Sequence, residues 1–90
     1  MINIPDQKWI VDKFGEDQYN IAMEECAELI QAINKHIRMC SEESREHLVE
    51  EMADVSICLE QLKKLAFVTD DELQQMIDKK SKRTVERYGN

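Results

Sequence analysis

Two short segments hold the side chains best suited to chemistry: Glu24-Glu25-Cys26-Ala27-Glu28 and, 26 residues later, Glu50-Glu51-Met52-Ala53-Asp54. Each reads as two acids, a variable residue, an alanine and a further acid. The repeat of three between carboxylates is one turn of a helix, where like charges destabilise by about 0.2 to 0.5 kcal/mol per pair. No lysine or arginine stands inside either segment to offset that cost. If the two segments are brought side by side, Glu25, Glu28, Glu51 and Asp54 converge, and four carboxylates at short range do not all stay ionised without a cation. The donor set is oxygen only, without histidine or cysteine in ligand spacing, which suits Mg²⁺, or Mn²⁺ as a substitute, rather than zinc. Magnesium commonly binds beside substrate phosphates, so the implied substrate is phosphorylated. The plainer reading is a solvated acidic face, which is what most glutamate runs on helices are.

Helices must carry these acids. Only Gly15, Gly89 and Pro5 interrupt the chain, so turn chemistry is nearly absent and an all-α fold is expected. Pro5 and Gly15 bracket a first helix at about residues 5–14, bearing Trp9, Ile10 and Phe14. From Asp17 or Tyr19 to about Met39, Ala22, Cys26, Leu29, Ile33 and Ile37 recur at steps of three and four, predicting a second helix packed by that stripe. Ser41–Ser44 forms a polar break. Leu48, Met52, Val55, Leu59, Leu62 and Ala66 predict a third helix over roughly 44–66. The short connection makes the second and third helices an antiparallel hairpin. Glu25 lies three residues after Ala22 and Glu51 three after Leu48, so both acid pairs fall on the same flank of their stripes. Thr69 followed by Glu72 has capping-box spacing and opens a fourth helix with Leu73, Met76, Ile77 and Val85 on one face.

The 90 residues are expected to form a single domain, and a chain that short buries only about 60% of its unfolded surface. Self-association into a homodimer or homotetramer is the expected supplement. Cys26, Cys40 and Cys58 are odd in number and form no CxxC pair, which fits a reducing cytoplasm. They and the five methionines read as core filling. No run approaches the roughly 18 to 20 apolar residues of a membrane span. A net charge of -7 argues against a nucleic-acid partner. The charge is uneven: Glu16 to Asp54 holds eleven acids and three bases, whereas Lys79 to Arg87 holds five bases and one acid.

On the residues Glu25-x-x-Glu28 and Glu51-x-x-Asp54, set in EECAELIQAI and EEMADVSICL with 22 residues between the two motifs, the chain resembles the MazG-like all-alpha nucleoside triphosphate pyrophosphatases. The resemblance spans about residues 9–87. It implies a four-helix subunit with a metal-bearing antiparallel hairpin, assembled into an oligomeric helical bundle. It also implies Mg²⁺-dependent hydrolysis of a nucleoside triphosphate to the monophosphate and diphosphate, as nucleotide-pool housekeeping. A divalent ion there would neutralise charge at the α-phosphorus, and Glu24 and Glu50, beside the four metal ligands, are the candidates to orient or deprotonate water. By the same resemblance Lys79 and Arg83, four residues apart, would face substrate phosphates, assisted by Lys80 and Arg87. Their plainer role is to complement a helix dipole. Trp9, with Phe14 and Tyr19, lies on the family's base-pocket side and could stack a nucleobase. His36 and His47 receive no role. Two alternatives stand beside this reading. One is a related phosphoribosyl-ATP pyrophosphohydrolase or dimeric dUTPase-like enzyme; the other is a non-catalytic helical partner or regulatory protein.

Overall fold

A computed structural model describes residues 4–89. Within them the chain forms four helices, α1 (Ile4–Phe14), α2 (Asp17–Met39), α3 (Glu42–Leu65) and α4 (Asp70–Tyr88), with no strand. The all-α expectation holds, and helix ends fall within two residues of the predicted ones. Gly15 closes α1 at φ +57°, a backbone state that glycine adopts without strain, and its carbonyl accepts from Gln18 N–H to start α2. α3 begins at Glu42, two residues earlier than expected, because Ser41 and Ser44 form a reciprocal capping box. Ser44 N–H donates to Ser41 Oγ at 3.1 Å, and Ser41 N–H donates to Ser44 Oγ at 3.0 Å. His36 Nδ1 lies 2.8 Å from the same Ser44 Oγ, tying the end of α2 to the start of α3. Thr69 caps α4, its hydroxyl accepting from Glu72 N–H at 3.1 Å.

The α2–α3 pair is an antiparallel hairpin turned by Cys40 and Ser41, with α1 packed across both helices. Its seam follows a heptad pattern different from the predicted stripe. Gln18, Ala22, Glu25, Leu29, Ala32 and His36 of α2 meet Ser44, Leu48, Glu51, Val55, Cys58 and Leu62 of α3, at alternating steps of four and three. All twelve are buried or half-buried. The stripe predicted to pack α2 points largely outward instead: Cys26, Ile33 and Ile37 are exposed, continuing a second heptad row through Tyr19, Met23 and Ile30. Met52 and Leu59 are likewise exposed on α3. The physical reason is size and polarity. Ala22 and Ala32 let the helices approach closely, and the polar seam residues find partners or a cleft there, so the bulkier row is displaced to the outer face. The core-filling expectation therefore fails for most methionines and for Cys26 and Cys40; of the three thiols only Cys58 is buried.

α4 stands off the other helices, and every one of its residues is exposed. It is anchored by Lys63, which pairs with Glu60 at 2.9 Å and with Asp70 at the first turn of α4. Hydrogen bonding to Asp70 and then to Glu60 pushes the Lys63 ammonium pKa up, and the same ammonium holds the Asp70 carboxyl down. No helix among the described residues is long and apolar enough to cross a membrane.

Candidate metal centre

The seam rule that puts apolar side chains at heptad positions is broken at its middle by Glu25 and Glu51. Glu51 is only 6% exposed. One carboxylate oxygen of each, Oε2, is buried without a hydrogen-bond partner. An unpaired buried charge is among the most destabilising features a small fold can carry, which makes these two oxygens the cluster's strongest candidates for holding a cation. Glu28 joins them from the next turn of α2. One carboxylate oxygen from each of Glu25, Glu28 and Glu51 lies within 4.8 Å of the other two. That is near the separation of about 4.2 Å between opposite ligands of an ion held at about 2.1 Å.

Asp54 lies outside that trio but faces the same opening. It lines a cleft of about 270 Å³ together with Glu25, and its charge acts on Glu25. Burial is the main cause that pushes the Glu25 carboxyl pKa up, followed by the charges of Asp54, Glu28, Glu51 and Glu24. The four predicted ligands therefore form one electrostatic unit around Glu25. Cys58 sits beside them in the cleft, and burial, then Glu25, Cys26 and Asp54, push its thiol up as well. The clustered donors are all carboxylate oxygens, which fits a hard divalent cation.

The remaining sequence-predicted residues are more dispersed. Glu24 is exposed at the edge of the cluster, and Glu50 is exposed with its Oε2 3.9 Å from His47 Nδ1. Lys79 and Arg83 lie on the exposed α4, and neither lines the cleft. Trp9 is exposed and packs edge-to-face on Phe14, ring centroids 6.5 Å apart; Phe14 lines the cleft and Trp9 does not. Two polar cleft residues had no place in the sequence reading, Gln18 of α2 and Gln61 of α3. Each stands seven residues from a predicted ligand, Gln18 before Glu25 and Gln61 after Asp54. That spacing on both motif helices was the available signal.

An all-helical chain whose central hairpin gathers carboxylates around an orphaned, buried pair resembles in arrangement the class of helical proteins whose facing helices present carboxylates to a divalent ion. The comparison with known families gives the particular one: the family model of the MazG nucleotide pyrophosphohydrolase domain matches residues 16–88. The chain belongs to this family, and with it to the nucleotide pyrophosphohydrolases. No curated protein and no solved structure matches it.

Proposed function

We propose that the protein is a Mg²⁺-dependent nucleoside triphosphate pyrophosphohydrolase of the cytoplasm, converting a triphosphate and water to the monophosphate and diphosphate. The observation that carries this reading is the buried, partnerless pair of oxygens on Glu25 and Glu51 within reach of Glu28. Glu25, Glu28, Glu51 and Asp54 would hold the metal, Mg²⁺ with Mn²⁺ as substitute. When bound, the ion supplies charge neutralisation at the phosphates and acidifies water. The chain's own residues do the rest. The seam fixes Glu25 and Glu51 so that little reorganisation is needed when charge develops. Glu24 and Glu50 flank the ligands as candidates to orient or accept a proton from the attacking water. Among the described residues no lysine or arginine lines the cleft, so Lys79 and Arg83 of α4 are the groups proposed to hold the outgoing diphosphate. Trp9 is proposed to border the nucleoside, through its packing on Phe14.

The same proposal includes a second copy of the chain. The outer row Tyr19, Met23, Cys26, Ile30, Ile33 and Ile37 repeats the seam's heptad spacing and faces solvent. A homodimer, or a dimer of dimers, would cover it.

The test is a pyrophosphate-release screen over canonical and modified triphosphates with Mg²⁺ and Mn²⁺, repeated on Glu51→Gln and Asp54→Asn. Both substitutions are expected to abolish metal-dependent release while the far-ultraviolet helical signal is retained. Turnover unchanged in both variants would refute the site. A clean wild-type preference for dUTP or for phosphoribosyl-ATP would instead reassign the substrate within the same chemistry. Failure to cleave any nucleotide would leave a helical partner protein.

A further inference from the structure

Lys79 and Arg83 are proposed above to hold the diphosphate, yet every residue of α4 is exposed, so no buried face sets the direction of the helix that carries them. The direction comes from the turn over residues 66–69 and from one side chain of α3. Lys63, in the last turn of α3, is tied to the connection twice. Its carbonyl accepts from Val68 N–H at 2.8 Å. Its ammonium bonds Asp70, the first residue of α4, and also Glu60 at 2.9 Å. The Lys63 and Glu60 side chains are only 19% and 14% exposed, whereas Asp70 is 85% exposed. The cation is therefore seated on the hairpin, and α4 is brought to it. The bond to Asp70 is the first cause that raises the Lys63 ammonium pKa, followed by the bond to Glu60, so the clamp is charged throughout the neutral range. Lys64 adds a smaller attraction on Asp70.

We propose that Lys63 is a positioning residue for catalysis: by bonding Asp70 across the α3–α4 turn it fixes the direction of α4, and with it the place where Lys79 and Arg83 meet the diphosphate. The inference rests on the pyrophosphohydrolase reading. A lone ion pair with an exposed partner adds little to stability, but its leverage on geometry is large. The turn alone holds α4 at one point; the turn and the clamp together hold it at two. At 1.5 Å per residue Lys79 and Arg83 stand about 14 and 20 Å along α4 from Asp70, so a swing of about 30° carries them about 7 and 10 Å. A displacement of about 1 Å at a reacting group can already cost about 100-fold in rate. Groups that meet the diphosphate from outside the cleft depend on such a fixed direction, because no cleft wall holds them.

The experiment compares the full-length wild type with Lys63→Met, which keeps the aliphatic stem on the hairpin, and with Lys63→Arg, which keeps the charge. Residual dipolar couplings of the isotope-labelled chain report the orientation of α4 against α2 and α3 without reference to activity. In the wild type one alignment should fit all three helices, and in Lys63→Met the couplings of α4 alone should shrink. With the triphosphate that the wild type cleaves best, Lys63→Met should raise KM and weaken inhibition by diphosphate on the order of 10-fold, with kcat changed less. Lys63→Arg should restore both. The gain in melting temperature on adding Mg²⁺ should be unaltered, since the carboxylate cluster is untouched. In a Lys79→Ala, Arg83→Ala background Lys63→Met should have no further effect, because its action passes through those two groups. The inference is overturned if α4 keeps its alignment in Lys63→Met, if Lys63→Arg restores nothing, or if Lys63→Met costs as much without Lys79 and Arg83 as with them. A wild type that cleaves no nucleotide with Mg²⁺ or Mn²⁺ sinks the pyrophosphohydrolase reading and the catalytic role of Lys63 with it, whereas an active wild type with unchanged couplings sinks the clamp alone.

Discussion

Glu25 and Glu51 occupy positions where the fold would be better served by leucine, and their titration should report it. The Glu25 carboxyl pKa is raised, so the folded chain holds that proton more tightly than the unfolded chain does. Without metal, this group's contribution to stability is therefore greatest below the ordinary glutamate value and falls as pH rises through the window up to the raised one. On the proposed metal reading Mg²⁺ would bind the ionised form, so the gain in melting temperature on adding it should grow with pH across that window. Calorimetry at stepped pH, with and without Mg²⁺, checks this; a gain independent of pH would contradict it. Glu51→Gln should raise the metal-free melting temperature and abolish the Mg²⁺-induced gain. The carboxylates were legible in the sequence because a doubled acid motif without intervening bases is hard to explain as a plain surface. Gln18 and Gln61 were harder to read: their seven-residue offsets from Glu25 and Asp54 carry weight only once the fold shows that both are withdrawn from water.

Among the helices, boundaries were readable wherever a local residue enforces them: Gly15, the Ser41–Ser44 box and Thr69 all act within a few residues of chain. The Ser44 hydroxyl also donates to Ser41 C=O at 2.9 Å and contacts His36. Ser44→Ala is expected to cost about 2 kcal/mol in urea unfolding, a buried hydroxyl's set of bonds lost at once. At the other end of α3 the sequence has an unfavourable residue. Val68 N–H reaches Lys63 C=O and Phe67 N–H reaches Lys64 C=O, the paired bonds of a Schellman turn, and Phe67 takes the left-handed position at φ +56°. That conformation costs an L-residue about 1 to 2 kcal/mol, and the Phe67 side chain is 88% exposed. Phe67→Gly should therefore stabilise the chain by about 0.5 to 1 kcal/mol, after the extra chain entropy of glycine is subtracted. The Lys63–Asp70 pair nearby works in the opposite pH sense to Glu25. The Asp70 carboxyl is held down, so its contribution disappears as pH falls below the ordinary aspartate value.

For the molecule as a whole, periodicity revealed that α2 is amphipathic but not which row packs within the chain. Two heptad rows run along it, one small and polar, one large and apolar. Hydrophobicity favours the second row as the core, whereas close helix approach and the carboxylate site need the first. The outer row makes a quantitative expectation possible. Sedimentation equilibrium at micromolar concentration should return at least twice the 10.6 kDa chain mass. Ile30→Glu with Ile37→Glu should shift the protein towards monomer and lower its melting temperature. A wild type that stays monomeric at that concentration would refute the assembly.

A hairpin that reserves the middle of its seam for Glu25 and Glu51 is easy to improve as a scaffold and easy to ruin as an enzyme. Laboratory evolution for heat resistance alone should enrich leucine or methionine at positions 25 and 51 early, because each replacement exchanges a desolvated charge for packing. Lineages carrying those changes would be hardier and inert, which makes an activity screen in every round the condition for retaining the catalyst.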